Sequence, residues 1–290
     1  MKKSTKAALI ISGICAAGGT ACVIAGMVLG ASWTDVRSSF EDSVDIDHLP
    51  WRGYDPDDDD WEDRLERDSG EVREHHDQGY LDSEEMNYYD GIRKIDLDVG
   101  LGDVHIIYGD ERISGDTVGV ETGSGRISAR KKGSTLKLSV TGELGESGTM
   151  NLLLPEDLMD EIDIEAGAGA VYAEELRAQK VEIQVAAGEL GIDGELSASE
   201  VSLEVGGGNM EIGILDVSHM ELECGMGTFS AQLAGLEEEY YFEGECAGGT
   251  LEFGSHSYPG TAEVNEGDRS SARKIEAECG MGSMILTFEA

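Results

Sequence analysis

The sequence predicts an all-β fold: a single-stranded parallel β-helix (β-solenoid) of about 19 to 22 residues per coil, preceded by one transmembrane helix and a disordered acidic stalk. Three observations predict it: an uncharged apolar run near the N-terminus, a dense stretch of acid after it, and a strand–glycine turn–strand unit repeated through the remainder. They divide the 290 residues into 1–33 (cytoplasmic N-terminus and span), 34–90 (stalk) and 91–290 (β domain).

Lys2, Lys3 and Lys6 precede a run from Ala7 to Trp33 that carries no charge. A helix of that length crosses a hydrocarbon core of roughly 30 Å. Basic residues before the run and Asp35 just after it orient the N-terminus to the cytoplasm and the domain to the outside. The expected location is therefore the cell membrane, single-pass, held through residues 7–33. A cleaved signal peptide would have a shorter apolar region and a small-x-small cleavage site. A lipoprotein signal at Cys22 would want an aliphatic residue where Gly19 stands. Gly18, Cys22, Gly26 and Gly30 recur every four residues and give one small-residue helix face on which a homodimer could form.

Between Thr34 and Asp90 there are 21 Asp and Glu against 5 Lys and Arg, with no sustained helical or strand period. Such a segment buries too little apolar surface to offset its ordering entropy and is read as a self-repelling spacer. Asp55, Asp57, Asp59, Asp63 and Glu66 fall at positions 1, 3, 5, 9 and 12 of a calcium-loop register. Position 6, which needs glycine, holds Asp60, so these are weak metal candidates and the segment reads as a solvated acid run. The adjacent pair His75 and His76 lacks a folded frame and suggests weak metal scavenging only.

The repeat is clearest in IDIEAGAGAVYA (162–173), VEIQVAAGELGI (181–192), VSLEVGGGNMEI (201–212) and MELECGMGTFSA (220–231). Further copies lie at 95–106, 242–253 and 275–286. The last glycines of the turns, Gly169, Gly188, Gly208, Gly227 and Gly249, are spaced by 19, 20, 19 and 22 residues, and Gly102 and Gly282 hold the same place in the outer copies. That period fits one coil of a solenoid and is too short for a helical repeat. Alternation such as Val201, Leu203, Val205 puts apolar groups on one face and acids on the other. Glycine suits a bend repeated in every coil because it tolerates positive φ or close backbone approach. Strands follow these turns and the nucleotide-binding third glycine is missing, so the GxG pattern is not a dinucleotide fingerprint.

Cys224, Cys246 and Cys279 share one repeat position, just before the turn and in phase with the inward residues, and are expected as an interior column of free thiols. The basic residues Arg126, Arg130, Lys131 and Lys132 could form a docking point on an otherwise acidic body, but read better as a hairpin tip neutralising nearby acids. Ser255 to Ala272, with Pro259 and Gly260, reads as a loop between the last two coils. The final strand, Met284 to Ala290, would be an edge needing either that loop or another molecule to cover it.

A net charge of -39 excludes nucleic acid, whose binding needs clustered Lys and Arg. Neither a catalytic constellation nor a cofactor motif is found: His105, His219 and His256 are isolated in sequence, and 91–290 holds 13 Lys and Arg against 39 Asp and Glu. The segment MNLLLPEDLMDEIDIEAGAGAVYAEELRAQKVEIQVAAGELGI, a strand ending in Leu154 and Pro155 followed by glycine-turn units, resembles a bacterial family of unassigned function named the "putative adhesin" family with β-strand repeats. The resemblance runs over about Gly91 to Ala290 and implies a membrane-anchored β-helix on the cell envelope, with a link to envelope-stress regulation in some members. It supplies no catalytic residues, and the long acidic stalk and the cysteine column depart from its commoner pattern.

The expected function is thus non-catalytic binding or structural display at the cell surface, toward an extracellular protein or glycan. The alternatives are a sensor or regulatory subunit of an envelope-stress response and, further off, a polysaccharide-acting β-helix enzyme. The last would need a base and charge-neutralising cations in one groove. Calcium along the acidic outer strands is disfavoured because Asn209 and Thr250 stand where a calcium-binding solenoid turn carries Asp.

Overall fold

The computed structural model describes residue 81 and residues 86–142 and 147–288. The apolar run 7–33 with Gly18, Cys22, Gly26 and Gly30, the calcium-register acids Asp55, Asp57, Asp59, Asp63 and Glu66, and His75 and His76 all lie outside the described residues. Among the described residues no helix is long and apolar enough to cross a membrane. Those residues are all-β: sixteen strands and one 3-10 turn, Glu237–Glu239.

The strands are β1 Met86–Tyr89, β2 Lys94–Tyr108, β3 Val118–Thr122, β4 Arg126–Lys132, β5 Thr135–Thr141, β6 Gly148–Leu154, β7 Met159–Ala166 and β8 Ala170–Ala173. They continue with β9 Leu176–Val185, β10 Glu189–Val205, β11 Asn209–Cys224, β12 Thr228–Leu233, β13 Tyr240–Phe253, β14 His256–Glu266, β15 Arg273–Cys279 and β16 Ser283–Phe288.

Parallel pairing follows the repeat. Ile162 is opposite Val181, Val181 opposite Val201 and Val201 opposite Met220. After each turn a second ladder continues: Val104, Val171, Leu190, Met210 and Phe229 lie in register. Long strands such as β2 and β10 bend and serve both ladders, so the pairings close a ring, β2–β7–β9–β10–β8, with the remaining strands outside it. Alternation then does what period two requires: Leu97, Ile164, Ile183, Leu203 and Leu222 are buried, while the acids between them face out.

The turn glycines are explained by crowding. None of Gly102, Gly169, Gly188, Gly208, Gly227, Gly249 and Gly282 has positive φ. A Cβ on Gly188 would fall against the carbonyl oxygen of Gly169, one on Gly208 against that of Gly188, and one on Gly227 against that of Gly208. The same carbonyls accept the amides of Glu189, Asn209 and Thr228, each at 3.0 Å. Each turn therefore seats directly on the one before it, and a side chain would have to displace a hydrogen-bonded carbonyl.

The two ends depart from chain order. β5 and β6, later in sequence than β2, pair on its far side from β7 and β8. At the other end β15 and β16 insert between the 220–231 unit and β13: Met220 pairs with Ile275, and Ile275 with Phe242. Gly282 sits on Gly227, and Gly249 on Gly282. The last strand is thus interior, correcting its reading as an exposed edge.

The outermost strands are capped by antiparallel ones. At one end β4 pairs with β5, β3 with β6 and β1 with β3. At the other, residues 256–266 form β14 against β13, where the sequence had suggested a loop. Pro259 is tolerated because β14 pairs on one side only and Pro lacks just one donor. Strand β1 also places Met86–Tyr89 with the β domain, ahead of the boundary at Gly91 that composition suggested.

The core changes character along the stack. It is aliphatic through the middle and aromatic at the C-terminal end, where Phe242 stacks on Phe253 with centroids 4.2 Å apart and Phe253 meets Phe288 edge-on at 5.2 Å. Gly244 leaves room for this pair, since a Cβ there would lie 2.7 Å from the Phe242 ring.

Candidate functional site

In-register stacking turns the outward alternation of the first ladder into two columns of carboxylates. One runs Asp96, Asp163, Glu182, Glu221, Glu276, Glu243, interrupted at Ser202. The other runs Asp98, Glu165, Glu204, Glu223, Glu278, Glu245, interrupted at Gln184. Parallel strands lie about 4.8 Å apart, so neighbouring acids repel one another. Burial, followed by Glu182, Asp96, Glu165 and Glu161, pushes Asp163 up to about 6. Glu223 is raised by burial and then by Glu204 and Glu221.

A third outward column is mixed in sign. Lys94 Nζ stands 2.6 Å from Glu161 and Lys180 Nζ 3.8 Å from it, while Lys180 also reaches Glu182 of the first column at 3.1 Å. The hydrogen bond from Lys94 accordingly holds Glu161 below the usual carboxylate range. Beside the turns Asp98, Glu165 and Glu204 border an open recess of about 380 Å³, floored by Gly100, Gly167 and Gly206. Its carboxylates give it oxygen donors and a negative charge, so it suits a cation or a basic side chain.

Cys224, Cys279 and Cys246 are buried and free, stacked in that spatial order through the register of β11, β15 and β13. Cys224 Sγ donates to the carbonyl of Gly227 at 3.3 Å and Cys279 Sγ to that of Thr250 at 3.4 Å. A hydrogen bond between the Cys224 and Cys279 thiols, then burial, pushes Cys279 up, while the same bond lowers Cys224. Burial raises Cys246. With side chains directed into the core these thiols act as small apolar groups.

The three histidines that stand alone in sequence have different settings. His105 stacks on Tyr172 with centroids 5.5 Å apart, and His219 pairs in register between Glu200 and Lys274. His256 is brought to two acids: Nδ1 lies 3.5 Å from Glu266 Oε2 and 3.8 Å from Glu237 Oε1. Among the described residues this trio is a group able to hold a metal ion. Tyr258 hydroxyl donates to Glu266 Oε1, and its own ionisation is pushed up to about 12 by burial and then by Glu266. No sequence motif announces this grouping, because its members are far apart in the chain and follow no known ligand spacing.

The basic stretch 126–132 forms the β4–β5 hairpin, where Lys131 Nζ donates to the carbonyl of Asp90 at 2.6 Å. Of the residues singled out from sequence, the structure therefore aligns the turn glycines and the cysteines, and it adds the Glu237, His256 and Glu266 trio.

No family model matches the chain, and no curated relative does. Among solved structures the chain is similar to a "putative cell adhesion protein" from Clostridium sporogenes ATCC 15579, with TM-score 0.31 and 14% identity over 71% of this chain and 98% of that one. It is similar to a "putative adhesin" from Bacteroides fragilis NCTC 9343, with TM-score 0.30 and 14% identity over 69% of this chain and 95% of that one.

Proposed function

We propose that this chain is a non-catalytic, adhesin-like surface module, anchored in the membrane through residues 7–33. Its β domain is a single-stranded parallel β-helix that displays a flat contact face. The observation that supports this most is the pair of carboxylate columns on the first ladder. Regular strand spacing makes them a rigid, repeating array, suited to an extended partner carrying basic groups at similar intervals. Such a face binds through many weak, salt-screened contacts.

The test uses full-length protein and immobilised polylysine as a probe of extended cationic partners. Replacing Glu165, Glu204 and Glu223 with Gln is expected to weaken binding on the order of tenfold at low salt. Replacing Glu189, Glu211 and Glu252, on the second ladder, with Gln removes the same charge and is expected to change binding far less. Equal losses from both triples would mean that bulk charge alone is read, and would defeat the proposal.

A further inference from the structure

The capping strand β14 meets itself. His256 is its first residue and Glu266 its last. Eleven residues in a straight strand would hold those ends roughly 33 Å apart. They come within 3.5 Å because the β13–β14 ladder bends round the core, with a register shift between Ala247 and Thr250. Glu237, in the 3-10 turn that leads into β13, completes the group.

Glu266 has one oxygen engaged by the protein and one turned toward His256, and Glu237 also presents an oxygen to it. Glu266 Oε1 accepts the Tyr258 hydroxyl, which leaves Oε2 toward His256. Glu237 Oε2 lies over Gly254, where a Cβ would collide with it, and Oε1 faces His256. Gly254 has φ +56, a backbone conformation that favours glycine there. The 3-10 turn is itself held by the Leu236 amide donating to Glu239 Oε2 at 3.1 Å. An open recess of about 470 Å³ adjoins the group, lined in part by Glu237, Tyr240, Phe253 and Glu266.

We propose that Glu237, His256 and Glu266 bind a divalent transition-metal cation, Zn²⁺ by donor set, which clasps the two ends of the cap to the entry of β13. Imidazole nitrogen with two carboxylates suits Zn²⁺, whereas Ca²⁺ and Mg²⁺ prefer all-oxygen sets. Tetrahedral ligands about 2.05 Å from zinc lie about 3.3 Å apart. The observed 3.5 and 3.8 Å from His256 need only a small contraction, and the three donor atoms all lie within 4.8 Å of one another. The recess leaves a coordination position for water, and Tyr258 acts as a positioning residue for Glu266. The site is separate from the acid columns and stands or falls independently of them.

The experiment titrates full-length protein with Co²⁺ as a visible probe and Zn²⁺ as competitor, in excess Ca²⁺ to occupy the acid face. The expected result is one equivalent of bound Co²⁺ with visible d–d bands, displaced by Zn²⁺, and a higher melting temperature with Zn²⁺. His256→Ala, at a half-exposed position, should abolish the bands while far-UV circular dichroism stays unchanged; Glu237→Gln should do likewise. Tyr258→Phe should weaken binding about tenfold. Bands or affinity that persist in His256→Ala, or no binding in excess Ca²⁺, would overturn the proposal.

Discussion

The middle of the β domain and its two ends are built from the same unit under different rules. From 162 to 231 each unit stacks on its sequence predecessor, the core is aliphatic apart from Phe229, and glycine sits on glycine at every turn. At both ends an outer unit is separated from its nearest sequence neighbour by another unit, and antiparallel strands close the stack. The difference teaches that the repeat encodes the shape of a unit, while the order of stacking is decided by which edge is left open and which cap can cover it.

The sharpest way to break that comparison is to remove residues 273–290. With β15 and β16 interior, β13 should lose its partners, and hydrogen exchange should show its amides unprotected and Cys246 reactive to thiol reagents. If β13 stayed protected, chain order and stacking order would be interchangeable and the ends would not differ from the middle. Next in size, Gly208→Ala should destabilise by about 3 kcal/mol in denaturant unfolding, because its Cβ meets the Gly188 carbonyl. Gly260→Ala, in the cap with open space around it and φ +80, should cost about 1 kcal/mol, the strain of its backbone alone.

Arg273 sharpens the contrast between the ends. It donates to Asp216 Oδ1 at 2.7 Å, to the Tyr240 hydroxyl at 2.8 Å and to the carbonyl of Ala234 at 3.0 Å. Arg273→Ala should cost about 1–2 kcal/mol in thermal or urea unfolding. The exposed Arg93–Asp160 pair at the other end should give no measurable change when Arg93 is replaced.

The middle is probed through its pH dependence. Asp163 is raised to about 6 when folded, against 3.8 as a model compound, so the folded state binds its proton more tightly. Stability should therefore increase as pH falls from 7 through about 6 toward 4, and Asp163→Asn should remove that slope. After discounting for solvent screening, Asp163→Asn should gain on the order of 1 kcal/mol over the wild type at pH 7, measured by chemical denaturation across pH.

Most of the middle is legible in the sequence because alternation and the glycine interval are local signals. Val201, Leu203 and Val205 announce their burial without reference to anything distant. The end order is not, because the units at 220, 242 and 275 are nearly interchangeable as patterns. One signal was present: ECGMG occurs at 223–227 and again at 278–282, and those two copies stack directly on each other. The cap was misread since Pro259 and Gly260 are loop residues wherever a strand has two neighbours, and β14 has one. The trio around His256 was invisible because it depends on a bend that brings the two ends of a single strand together.

The interior position of the last strand also sets the timing of folding. A chain that emerges from the ribosome N-terminus first can lay down 162 to 231 in the order of synthesis. Strand β13, with Phe242 and Phe253, is made before the strands it must pair with. Until β15 and β16 have been made, β13 lacks the strands it pairs with in parallel, so assembly of this end waits for them. A chain stopped before them would display that edge to chaperones and proteases, which makes synthesis of β15 and β16 a condition of its survival.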